Sequence, residues 1–174
     1  MVRFHTKDIE LNKNACSTVC FNVHRNARIG DNMNNQKRYC YLTSEIDAAY
    51  HEAALKFGVS DSAMRILYTI CLNGVECPLS DVVRLSGIPK QTINSALRKL
   101  EKEEILYLET ANGRNRQVIL TDKGIALAKK SALPVQKMEN EIFSSWSKQE
   151  RELYFQLTER FLSSFKKKIK EINV

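Results

Sequence analysis

A chain of 174 residues is long enough for one compact domain with a hydrophobic core and too short for a second full domain. Its net charge of +7 sits at the ends: residues 1–38 hold seven Lys/Arg against three Asp/Glu and residues 163–174 four Lys against one Glu, while residues 39–162 carry sixteen of each sign, so a nucleic-acid partner must be argued from local placement. Five irregularly spaced cysteines exclude a secreted disulfide scaffold and predict reduced thiols in the cytoplasm, and no run approaches the roughly 18–20 apolar residues of a membrane span.

Residues 1–38 are rich in Asn and basic side chains and keep neither the helical nor the strand period, so they are expected to be a poorly ordered extension. Within them Cys16, Cys20 and His24 recur every fourth residue. Only His5 lies near enough to complete a four-ligand set, and no metal is expected. From Tyr39 to Phe57 the apolar residues Leu42, Ile46, Ala49, Tyr50, Ala53 and Ala54 follow a helical period, and Gly58 suits the helix end. Ser60 is the expected N-cap of a second helix carrying Met64, Leu67, Tyr68, Cys71 and Leu72, with Asn73-Gly74 as its stop.

Ser80 is expected to cap a short helix from Asp81 to Ser86, Gly87 supplies a turn, and Pro89 opens the next helix, which runs to Glu103. Two short helices joined by such a turn make a helix-turn-helix. Two β-rich runs follow, Leu106–Thr110 and Gln117–Leu120, around a polar tip containing Asn112-Gly113, which is a hairpin signal. Thr121-Asp122 starts another helix, which Pro134 should bend or restart. Ser147-Lys148-Gln149-Glu150 matches a capping box, and the final helix carries Leu153, Leu157, Phe161, Phe165 and Ile169 every fourth residue, flanked by Tyr154 and Leu162. Little chain is left to cover so wide a stripe, so a partner subunit is expected to cover it. The expected fold is mainly α with a small β-hairpin wing: a winged helix-turn-helix with long N- and C-terminal dimerisation helices.

This order of elements, together with LSDVVRLSGIPKQTINSALRKLEKEEIL from Leu79 to Leu106 and NGRNRQVILTDKG from Asn112 to Gly124, resembles the MarR family over about residues 39–172. The wing departs from the family's common acidic pattern, with Asn112 and Asn115 where aspartates often stand. The resemblance implies a MarR-like domain over 39–174, with dimerisation helices in 39–57 and 122–172 and a DNA-binding lobe in 60–121. It further implies a homodimeric transcription regulator, usually a repressor, that binds a double-stranded, pseudo-palindromic operator and is released by a small ligand.

The residues support that reading independently. With Ile93, Leu97 and Leu100 turned to the core, the predicted recognition helix presents Lys90, Gln91, Thr92, Asn94, Ser95, Arg98 and Lys102. Gln, Asn and Arg match base edges in the major groove, whereas Lys and Thr more often contact phosphate. From Arg84 to Lys102 there are five basic residues and one acidic one, so the neutral core is polarised here. Arg114 and Arg116 stand on the wing tip, where Arg can enter a narrow minor groove, Arg114 being the expected insertion.

Two other readings stay open. Cys40, between Tyr39 and Tyr41, falls where some MarR family members sense peroxides through one thiol, which gives a redox-sensing regulator. A winged-helix protein-interaction module without DNA binding is the other, because fold alone does not fix function. No enzyme and no cofactor are expected: there is no phosphate-cradling glycine loop and no Ser/His/Asp arrangement, and of His5, His24 and His51 only the last lies in the predicted core.

Overall fold

The computed structural model describes residues 34–111 and 115–172 and divides into two compact units, Met1–Lys56 and Phe57–Val174. The predicted extension, with His5, Cys16, Cys20 and His24, lies outside the described residues apart from its last few positions.

The first unit is described through one helix, α1 (Asn35–Lys56). It begins at Asn35 rather than Tyr39, with the Gln36 amide donating to Asn34 Oδ1 at 3.0 Å. The sequence period misses this first turn because its residues are polar and leave no apolar mark. Tyr39, Leu42, Ile46 and Tyr50 share one face of α1 and are all well exposed.

In the second unit α2 (Asp61–Leu72) is the central helix. Ser60 caps it by accepting from the Ala63 amide at 3.3 Å, and Met64, Ile66, Leu67 and Ile70 are buried around it. A strand, β1 (Glu76–Pro78), runs straight into α3 (Leu79–Leu85). The sequence reading missed β1 and placed the cap of α3 at Ser80. In fact Pro78 holds the cap position without a side-chain hydrogen bond, and the helix starts at Leu79. The cause is the strand itself, which pairs up to Pro78 and leaves no room for a loop before the helix.

Gly87 turns the chain at φ +67, a backbone state that side chains disfavour, into α4 (Lys90–Lys102). The hairpin that follows is β2 (Leu106–Ala111) and β3 (Asn115–Leu120). The three strands form an antiparallel sheet ordered β1-β3-β2, with Cys77 opposite Val118 and Leu108 opposite Val118 on the other side. Val82, Ile93, Leu97, Ile105, Leu106, Val118 and Leu120 are buried in the unit's core.

Thr121 caps α5 (Asp122–Lys130) through the Gly124 amide at 3.0 Å. The predicted break comes at Ser131, whose φ −127 and ψ −76 leave the helical region, and α6 (Ala132–Ser145) restarts with Pro134 in its first turn, where a missing N–H costs nothing. After Trp146 comes α7 (Lys148–Lys170), opened by the predicted capping box: Ser147 Oγ accepts from the Glu150 amide at 3.2 Å and the Ser147 amide donates to Glu150 Oε2 at 2.7 Å. The fold is thus a winged helix-turn-helix extended by two long helices. Among the described residues no helix is long and apolar enough to cross a membrane.

Candidate nucleic-acid interface

Helix α4 has two faces of opposite character. Ile93, Leu97 and Leu100 are at most 3% exposed, while Lys90, Gln91, Thr92, Asn94, Ser95, Arg98 and Lys102 are all exposed. None of Asn94, Ser95 and Arg98 is buried against another element, the arrangement that would have favoured a protein-interaction module. Among the described residues no carboxylate pairs with Lys90, Arg98 or Lys102. By contrast Arg84 on α3 is held by Asp81 at 2.9 Å, and Lys99 lies 3.9 Å from Glu103.

The start of α4 adds to this polarity. Its first turn carries no acidic residue and no side-chain cap, so its amide groups and the positive end of the helix dipole are open to an anion such as phosphate. Ser95 Oγ donates back to the Gln91 carbonyl at 3.1 Å, which commits the hydroxyl proton and leaves the oxygen as an acceptor.

The far end of α4 is fixed by residues the sequence reading did not single out. Glu104 takes the left-handed conformation (φ 57), with the Ile105 amide reaching back to the Leu100 carbonyl at 2.9 Å. Lys123 Nζ donates to the Glu103 carbonyl at 2.8 Å, and Thr121 Oγ1 to the Glu104 carbonyl at 2.6 Å. Both donors come from the hairpin-to-α5 junction, so one short segment clamps the end of α4. The only sequence signal for them is their place in the Leu120-Thr121-Asp122-Lys123-Gly124 run.

On the wing, Arg116 is exposed and pairs across the hairpin with Thr110. Because β1 reaches only Gln117–Ile119, the rows beyond it are paired on one side and form a two-stranded ribbon. Arg114, with Asn112 and Gly113, lies outside the described residues.

The three described thiols differ. Cys40 on α1 is exposed, Cys71 half-buried and Cys77 buried. Burial pushes the Cys71 thiol up; burial, and then the Asp81 charge, do the same for Cys77. Asn73 Nδ2 also donates to Cys77 Sγ at 3.4 Å. Among the described residues no group of three or more His, Cys, Asp or Glu side chains is placed to hold a metal ion.

No protein-family model and no curated protein matches the sequence. Solved structures do resemble it. A MarR family regulator from Neisseria meningitidis is similar at 18% identity over 80% of this chain and 99% of its own, with a TM-score of 0.69. The MepR–DNA complex of Staphylococcus aureus is similar at 19% identity over 76% of this chain and 98% of its own, with a TM-score of 0.58. The PcaV transcriptional regulator of Streptomyces coelicolor, solved with its natural ligand, is similar at 16% identity over 75% and 96% of the two chains, with a TM-score of 0.53. At such identities the likeness is one of fold.

Proposed function

Because the chain has the fold of the MarR family regulators, we propose that it is a DNA-binding transcription regulator and not an enzyme: a cytoplasmic repressor that binds a pseudo-palindromic operator as a homodimer and is released by a small ligand. The observation that carries this reading is the exposed polar and basic face of α4 opposite its buried Ile93, Leu97 and Leu100. In this reading α4 enters the major groove. Arg98 reads guanine through O6 and N7, and Gln91 and Asn94 read adenine. Lys90, Thr92, Ser95, Lys102 and the open first turn of α4 hold phosphates, while Arg114 and Arg116 bring the wing to the minor groove.

The exposed apolar faces of α1 and of α7 are the surfaces a second copy covers, and two copies then present two α4 helices about 34 Å apart, one turn of DNA. The solved MepR–DNA complex supports the DNA part of the reading and the ligand complex of PcaV supports release by a small molecule; repression follows from the family resemblance.

Fluorescence anisotropy against the protein's own promoter DNA across a salt series tests it. Arg98→Ala should weaken specific binding by about 1–3 kcal/mol, and Lys102→Ala should weaken all sequences alike and lower the salt slope by about one. Weak binding, indifferent to sequence and unchanged by both substitutions, would assign the fold to protein interaction instead.

The exposure of Cys40, against the buried or half-buried Cys71 and Cys77, favours one second reading, a thiol-switched regulator. It requires that mild peroxide release DNA from the wild type and not from Cys40→Ser; equal release from both refutes it.

A further inference from the structure

The α6–α7 arm leaves the winged helix-turn-helix through a single non-helical residue, Ser131, between α5 and α6. Ser131 is itself fully buried, with its amide and hydroxyl donating back to the Ala128 and Leu127 carbonyls of α5, so any swivel is confined to the bonds on its far side and is stopped by whatever pins α6 beyond it. The apolar contact of α6 with α2, through buried Ala132 and Val135, resists separation but is non-directional and tolerates sliding. Directional bonds are found one to two turns past the swivel. Gln136 and Glu139 stand three residues apart and so share a face of α6. Gln136 Nε2 donates to the Tyr68 backbone carbonyl at 2.9 Å, and Tyr68 Oη donates to Glu139 Oε2. Tyr68 of α2 is thus gripped at its main chain and at the tip of its side chain, which fixes both the slide and the rotation of α6 on α2. Helix α2 in turn packs against α4.

We propose that Tyr68 and Glu139, with Gln136, form a latch that sets the angle between the arm and the winged helix-turn-helix, and hence the spacing at which two copies present their α4 helices. They are positioning residues, half-buried and away from the exposed face of α4. The spacing part of this proposal rests on the DNA-binding reading above.

The latch is tested first without DNA. Nitroxides attached through genetically encoded ketone residues replacing exposed Lys99 on α4 and Glu159 on α7 report the arm-to-lobe distance by pulsed dipolar spectroscopy, with labelled chains diluted in unlabelled ones. The native latch should give one narrow distribution. Tyr68→Phe and Glu139→Leu should each broaden it, and adding Tyr68→Phe to Glu139→Leu should broaden it no further, because the bond is already gone. The second arm measures affinity for operators with zero or one extra base pair between half-sites, an insertion that turns one half-site by about 35° relative to the other. The native protein should lose about tenfold or more on insertion and the variants about threefold or less, a loss of selectivity that a fall in stability alone would not produce.

Distance distributions unchanged in both variants overturn the latch, whatever happens on DNA. Broadened distributions with undiminished spacing selectivity overturn its role in recognition. If the native protein binds no DNA specifically, the regulator reading falls, while the distances still decide whether the latch exists.

Discussion

A methyl group on Gly124 would lie 1.9 Å from the Ile105 carbonyl oxygen and 3.3 Å from the Leu120 side chain. That carbonyl cannot swing aside cheaply, because it accepts from the Thr121 amide at 3.1 Å. Gly124→Ala is therefore expected to destabilise the protein by about 3 kcal/mol, read as a lowered midpoint in thermal or denaturant unfolding; a change under about 0.5 kcal/mol would show that the junction has slack. The same contacts give a physical reason for the run from Leu120 to Gly124: an apolar residue buried under the sheet, a hydroxyl that caps α5 and clamps α4, and a residue with no side chain where two backbones meet. The face of α4 was legible in the sequence because Ile93, Leu97 and Leu100 repeat at helical spacing and leave the opposite residues nowhere to point but outward. Glu104 was not legible, since the left-handed turn after α4 uses a residue other than glycine.

Among the elements, α7 depends most on its own ends. Its Ser147–Glu150 box satisfies two amide groups that would otherwise be unpaired, and Ser147→Ala should cost about 1 kcal/mol of stability by chemical denaturation. The Ser147 hydroxyl and backbone amide hold the Glu150 carboxyl below the usual carboxylate range. A carboxyl depressed in the folded state stabilises fully above its ordinary value, and the contribution is lost as pH falls through the depressed one. Acid titration followed by circular dichroism should therefore show the α7 contribution fading only at acid pH in the native protein, and a weaker fade in Glu150→Gln. The capping box, Ser60, Thr121 and the break near Pro134 were all readable because each is a local pattern. The strand β1 was not: three residues carry no period, and they are a strand only because Gln117–Ile119, some forty residues on, lie beside them. That distant partner also moved the cap of α3 from Ser80 to Pro78 and its start from Asp81 to Leu79. On α7 the row Leu153, Leu157, Phe161, Phe165 and Ile169 steps by four and drifts round the helix, so a second copy packed ridge into groove would cross it at about 50° rather than run alongside.

For the molecule as a whole, α7 is the revealing part. None of its 23 residues is buried among the described residues, although it carries three phenylalanines and its Phe161 and Phe165 rings stack at 5.8 Å. Phe161→Glu, and separately Phe165→Glu, should abolish the dimer in sedimentation equilibrium while leaving the winged helix-turn-helix folded; a dimer that survives both would place the subunit contact elsewhere. Beyond Tyr154 and Phe155, which meet the Phe143 and Trp146 rings, α7 is marginal in water without a cover, and on the dimer reading proposed above that cover is supplied by mass action. On that reading the amount of protein in the cell enters its function directly. Below the concentration at which copies pair, each carries a single reading head and an uncovered arm; above it, two heads act on one site with the arm buried. Occupancy of an operator would rise more steeply than in proportion to the number of chains, so a modest change in the protein's own synthesis or turnover would act on its target genes as a threshold.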